Sequence, residues 1–150
     1  MFHIIEHFFN LSCLYRQIVN DETDFMEYLT QETFKQKIFN FDENEEWKFE
    51  GEKPAIIDFY ADWCGPCKQL EPTLEQVEHE YQGQVDVFKI DTEQQQELAG
   101  AFGIKSIPAI LFIPVSGQPQ MVNGVIDKSS FDNAINDIFF SNATSESESE

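Results

Sequence analysis

The spacing of apolar positions changes several times along the chain, and each change marks an element. Over residues 1–25, Ile4, Phe8, Leu11, Tyr15 and Ile18 form a stripe at helical spacing, an N-terminal extension with little other pattern. Firmer patterning begins at Met26. Thr30 is placed to cap a short helix carrying Phe34 and Ile38, and Asn40 to end it. The acidic run from Asp42 to Glu46 reads as a solvated loop. Trp47-Lys48-Phe49 reads as a short strand or a surface plug, and Gly51 to Pro54 as a turn.

The run Ala55-Ile56-Ile57-Asp58-Phe59-Tyr60 lacks polar alternation and predicts a strand buried on both faces. Leu70, Leu74, Val77 and Tyr81 then keep helical spacing, with Pro72 expected to interrupt and kink that helix. Val85 to Ile90 predicts a second strand, parallel to the first through the helical crossover. A helix is expected over Glu93 to Phe102. Pro108 to Ile113 and Met121 to Ile126, joined by a turn at Ser116-Gly117, read as an antiparallel hairpin. Phe131, Ile135 and Ile138 define the inner face of a closing helix. This order predicts an α/β domain over residues 26–140, a central mixed β-sheet flanked by helices on both faces. The Ser/Glu-rich stretch 141–150 reads as a disordered tail.

Chemistry concentrates at Trp63-Cys64-Gly65-Pro66-Cys67-Lys68, between the central strand and the helix after it. Cysteines at i and i+3 share a helical face, near enough for a disulfide. At a helix start, unpaired N–H groups and the positive end of the dipole favour thiolate, the attacking species. Pro66 costs little there, because first-turn N–H groups lack intrahelical partners. A structural disulfide closing so short a loop would gain little chain entropy. A zinc site wants about four ligands, and Cys13, His3, His7 and His79 lie at no ligand spacing. The pair therefore reads as redox-active. Cys64, ahead of the helix, is expected to be the more exposed thiol and the nucleophile. Cys67, one turn inside, is expected to stay shielded until a mixed disulfide forms, then to resolve it. Gly65 leaves room for a substrate backbone, and Trp63 either offers an apolar rim or packs inside.

Asp58 interrupts an otherwise apolar strand, where a carboxylate is costly without a partner or a task. Lys89, on the adjoining strand, reads as its charge neighbour or as a surface lysine. Pro108, taken alone, is a strand-initial proline.

Residues 54–140 resemble the thioredoxin family through the run from Asp58 to Lys68, Lys89-Ile90-Asp91, Ser106-Ile107-Pro108, Gly117 and Gly124, in the family's order. Tyr60 stands where the family often has Trp, and the N-terminal extension is a larger departure. The resemblance implies a thioredoxin fold and a thiol-disulfide oxidoreductase that reduces protein disulfides through Cys64 and Cys67, with no bound cofactor. It implies that Asp58 lies beneath Cys67 and moves its proton, with Lys89 beside it. It also implies a cis Ile107-Pro108 bond facing the cysteines. Backbone at Ile107 and Pro108 would then pair with an extended substrate segment, in a groove completed by Gly124 and bordered by Trp63, Gly65 and Pro66. Partners would be disulfide-containing clients and a flavin-containing, NADPH-dependent thioredoxin reductase. The rivals are an exported oxidant or isomerase, which the Gly-Pro dipeptide disfavours, and a binding module, which usually lacks a cysteine, the aspartate or the proline.

Composition narrows the setting. The chain's 150 residues, 41% hydrophobic with 15 Phe, suffice for one packed core. Three cysteines, two of them in the pair, point to a reducing, cytoplasmic compartment. With 28 acidic against 9 basic residues and a net charge of -19, neither nucleic acid nor an anionic membrane is an expected partner, and a monomer is expected. No apolar run approaches the ~18 residues of a membrane span. A secretory signal fits poorly, since the first basic residue is Arg16 and Glu6 and His7 break the apolar run. Leu11-Ser12-Cys13 carries a faint lipoprotein-type pattern without the basic start, so export or lipid anchoring stands as the alternative.

Overall fold

Residues 26–141 are described by the computed structural model, so the expectations for the 1–25 stripe and for 142–150 lie outside the described residues. The apolar run after Pro54 forms the central strand β2 (Ala55–Tyr60), buried on both faces as its sequence requires. Around it the chain lays down β1 (Glu27–Tyr28), α1 (Gln31–Lys37), α2 (Gly65–Glu80), β3 (Asp86–Asp91), α3 (Gln96–Ala101), β4 (Ala109–Ile113), β5 (Gln120–Asn123) and α4 (Lys128–Ile135). The five strands stand in the order β1-β3-β2-β4-β5. β3 pairs parallel with both β1 and β2, while β4 runs antiparallel to β2 and β5. The sheet is mixed, and β2 is where the chain order reverses.

Strand alternation divides the core between the two sheet faces. Ile57 and Phe59 pack with Leu111 of β4 and with Phe34 and Leu98, from α1 and α3. Ile56 packs on the other face with Ile110, with Leu70, Leu74 and Val77 of α2, and with Phe131 and Ile135 of α4. Thr30 caps α1: its Oγ1 accepts from Thr33 N–H at 3.2 Å, and Thr33 Oγ1 accepts from Thr30 N–H at 2.8 Å.

Several sequence expectations are corrected. α2 runs unbroken through Pro72, because one missing N–H removes only the bond to the Lys68 carbonyl while Leu70, Leu74 and Val77 anchor both sides. α3 begins at Gln96 rather than Glu93, since Asp91 Oδ1 accepts from the Glu93 and Gln94 N–H groups and holds them in a turn. β5 stops at Asn123, before a left-handed Gly124. β1 was not expected: two residues are too short for a period to register. Trp47 and Phe49 are a plug and not a strand. Trp47 lies 4.9 Å from Phe39, centroid to centroid, and both pack on the α1 side of the core. The closing helix passes after Ile135 into a π-helical turn, Asn136–Phe140. Its wider turn shifts the phase, so Phe139 as well as Ile138 packs against the core.

Candidate active site

Both cysteines are held where β2 gives way to α2, beyond the C-terminal end of the strand at which sheet order reverses. Open α/β sheets place their ligand crevices at such a position. Two hydrogen bonds from Thr92, N–H at 2.9 Å and Oγ1 at 3.0 Å, fix the Tyr60 carbonyl. The Cys64 N–H then donates to Ala61 O at 3.1 Å, turning the chain into the helix. Cys64 is the residue that caps α2. Its backbone is extended, with φ -85° and ψ 109°, and its Sγ accepts from the Cys67 N–H at 3.2 Å. That contact brings an otherwise unpaired first-turn donor onto sulfur, which is how a helix start stabilises thiolate. Pro66 occupies the first turn at no cost in hydrogen bonds. Cys64 and Cys67 lie at disulfide distance, with Cα atoms 5.3 Å apart.

Exposure does not separate the two thiols, contrary to the sequence expectation: Cys64 is 3% and Cys67 5% exposed. Cys64 is covered by its neighbours in space, packing with Ala61, Tyr60 and Ile107. What separates the cysteines is the capping position and the N–H on Cys64 Sγ. Ile107 comes from the loop before β4, and its carbonyl oxygen lies 3.8 Å from Cys64 Sγ. The Ile107-Pro108 bond is cis. Gly124 N–H donates to Pro108 O at 2.8 Å, and Gly124 has φ 90°, a conformation that favours glycine. A side-chain carbon at Gly65 would meet nothing within 4 Å, so the fold leaves open space there. Trp63 is 69% exposed and therefore rim, not core, with Nε1 donating to Glu93 Oε1 at 2.6 Å.

Beneath the helix lie two buried charges. Asp58 is 1% and Lys89 4% exposed, so Lys89 is no surface lysine. They are register partners on β2 and β3 and share the α2 face of the sheet. Burial, the largest influence, pushes the Asp58 carboxyl up from 3.8 to about 7; the Lys89 ammonium lowers it and the Glu71 carboxylate raises it. Asp58 Oδ1 has no hydrogen-bond partner. Lys89 Nζ instead pairs with Glu71 at 3.0 Å and sits over the Tyr60 and Tyr28 rings, at 4.5 and 5.5 Å from their centroids. Sequence reasoning brought Cys64, Cys67, Asp58, Lys89, Ile107, Pro108 and Gly124 forward; the fold joins Cys64, Cys67 and Ile107 around Tyr60, ties Gly124 to Pro108, and sets Asp58 opposite Lys89, whose ammonium lies over the Tyr60 ring. It missed Glu71, Glu93 and Tyr28. Glu71 carried a usable signal: it lies four residues after Cys67, on the same helical face. Glu93 and Tyr28 carried none, because their contacts cross between distant segments.

A cysteine pair at disulfide distance whose first member caps a helix, on a mixed sheet whose central strand buries a carboxylate of raised proton affinity, defines a thiol-disulfide exchange site. Known proteins agree with that class. The thioredoxin family model matches residues 25–137. A thioredoxin of Borreliella burgdorferi is 46% identical over 111 residues, covering 74% of this chain and 95% of that one. Thioredoxin 1 of a Nostoc species is 30% identical over 102 residues, covering 68% of this chain and 86% of the relative. Among solved structures, that of chloroplastic thioredoxin z superposes with a TM-score of 0.64 at 29% identity, covering 75% of this chain and 93% of that one. The chain belongs to the thioredoxin family. It is a thiol-disulfide oxidoreductase that reduces protein disulfides, and nothing in these likenesses favours the oxidant, isomerase or binding-module readings.

Proposed function

We propose that this chain works as a monomeric cytoplasmic disulfide reductase in which Cys64 attacks, Cys67 resolves and Asp58 takes the resolving proton. The Cys64 thiolate attacks one sulfur of a client disulfide. That S–S bond breaks, a mixed disulfide forms on Cys64, and the first client sulfur leaves as thiolate. Cys67 then passes its proton to Asp58 and attacks Cys64 Sγ, expelling the second client sulfur. The client gains two electrons and leaves as two thiolates, which take up one proton from Asp58 and one from solvent, and the chain is left as its Cys64–Cys67 disulfide. A flavin-containing, NADPH-dependent reductase would restore the dithiol.

The observation that supports this order best is the Cys67 N–H on Cys64 Sγ, which favours thiolate at the helix cap over thiolate one turn in. Client backbone would lie along Ile107, Pro108 and Gly124, with Trp63 at the rim and Gly65 and Pro66 open to it. Lys89 supports Asp58 as its nearest buried cation. The paucity of cysteines supports a reducing compartment, and among the described residues no helix is long and apolar enough to cross a membrane. Trapping tests the order of attack. Cys67→Ser should accumulate client mixed disulfides that dithiothreitol releases, Cys64→Ser should accumulate none, and limited alkylation of the reduced chain should label Cys64 first. Preferential labelling of Cys67 would reverse the assignment.

A further inference from the structure

Opposite charges buried on adjoining strands ordinarily pair with each other. Here they do not. Asp58 and Lys89 are register partners on one sheet face, yet the lysine's ion pair runs to Glu71 on α2, and Asp58 Oδ1 is left without a hydrogen bond. We propose that Glu71 is a positioning residue for the resolving step: it competes with Asp58 for the Lys89 ammonium and so leaves the aspartate free to exchange a proton with Cys67. The inference rests on the reading of Asp58 as Cys67's proton acceptor.

The competition has a physical basis. The Glu71 side chain is 41% exposed, so pairing with it requires stripping water from only one fully buried ion, Lys89. An Asp58–Lys89 pair would desolvate two, and burial penalties then rival the Coulomb gain. The Tyr60 and Tyr28 rings also hold the ammonium, and contacts with three groups limit its swing toward Asp58. The charged groups that act on the Asp58 carboxyl are Lys89 from β3 and Glu71 from α2, with the Tyr60 hydroxyl of its own strand coupled to it; β4 presents Ile110 opposite it. Lys89 is the one cation in that set. Glu71 acts on Asp58 in two ways of the same sign, by direct repulsion of its ionised form and by keeping Lys89 engaged, so removing its charge has an unambiguous direction.

The experiment is a carbon-13 NMR titration of the Asp58 carboxyl in the reduced full-length chain, comparing the parent, Glu71→Gln and Glu71→Asp. Glu71→Gln should move the Asp58 midpoint toward acid by about one pH unit, the scale on which a nearby charge acts. Glu71→Asp, which keeps the charge, should stay near the parent. The limb of the pH profile for single-turnover insulin reduction that follows Asp58 should move with it. A midpoint that stays in place or moves toward alkali in Glu71→Gln would overturn the proposal. The relay reading fails separately, if Asp58→Asn reduces insulin at the parent rate whatever Glu71 does to the midpoint.

Discussion

Asp58 is a carboxylate placed where ionisation is expensive, and its environment turns that expense into a proton affinity near neutrality. The folded chain binds the Asp58 proton more tightly than the unfolded chain, with the carboxyl at about 7 against an ordinary 3.8. The sign follows: the residue costs no stability below the unfolded value, costs more as pH rises through it, and costs its full amount above the folded value. That difference corresponds to about 4 kcal/mol at most. Denaturant unfolding of Asp58→Asn should therefore show a gain of about 2–4 kcal/mol at pH 8 and none at pH 3.5. The same variant should turn over clients more slowly if Asp58 is, as proposed, the proton acceptor of Cys67. A variant destabilised at pH 8 would show that Asp58 is held by contacts whose loss outweighs its burial. The sequence showed that Asp58 was misplaced for a buried strand, but the destination of the Lys89 ion pair depended on α2 lying across β2 and β3.

At the scale of elements, the caps do specific work. α1 has only seven residues, too few to form alone, and depends on its Thr30–Thr33 box and on burial of Phe34. Thr30→Ala should cost about 1 kcal/mol, lowering the thermal midpoint by roughly 3–5 °C without changing insulin reduction. A larger loss with altered turnover would mean that α1 supports the site directly. α2 is capped by Cys64 itself, so the helix start and the proposed nucleophile are one residue. Both caps could be read locally. The start of α3 could not, because whether Asp91 continues a strand or caps a turn depends on where β3 ends against β2.

For the whole molecule, the question is where the fold needs the chain to begin: Met26 is buried with Val87 and the α2 residues on one sheet face. A chain beginning at Met26 should keep its thermal midpoint and its insulin-reducing activity, measured side by side with the full chain. A loss of several degrees would show that the Ile4–Ile18 stripe packs on the core, since about 1 kcal/mol moves a domain of this size by roughly 3–5 °C.

Short-range order determined what could be read from residues alone. A strand buried on both faces, helical spacing after Cys64, the Thr30 cap and the Cys-Gly-Pro-Cys spacing each depend on neighbours a few positions away. They were enough for a mixed sheet with helices on both faces and a redox pair at a helix start. Tertiary structure decided everything that needed two distant segments in contact. It made the thiols equally buried, because Ile107 closes over Cys64 from 43 residues away. It added β1 as a two-residue edge, carried α2 through Pro72 by burial on both sides, and let a π-helical turn bring Phe139 inward. Above all it gave the Lys89 ammonium to Glu71 and left Asp58 Oδ1 without a hydrogen bond. Electrostatic competition among buried groups is decided by ångström-scale distances and by water exclusion, and neither is encoded in spacing along the chain.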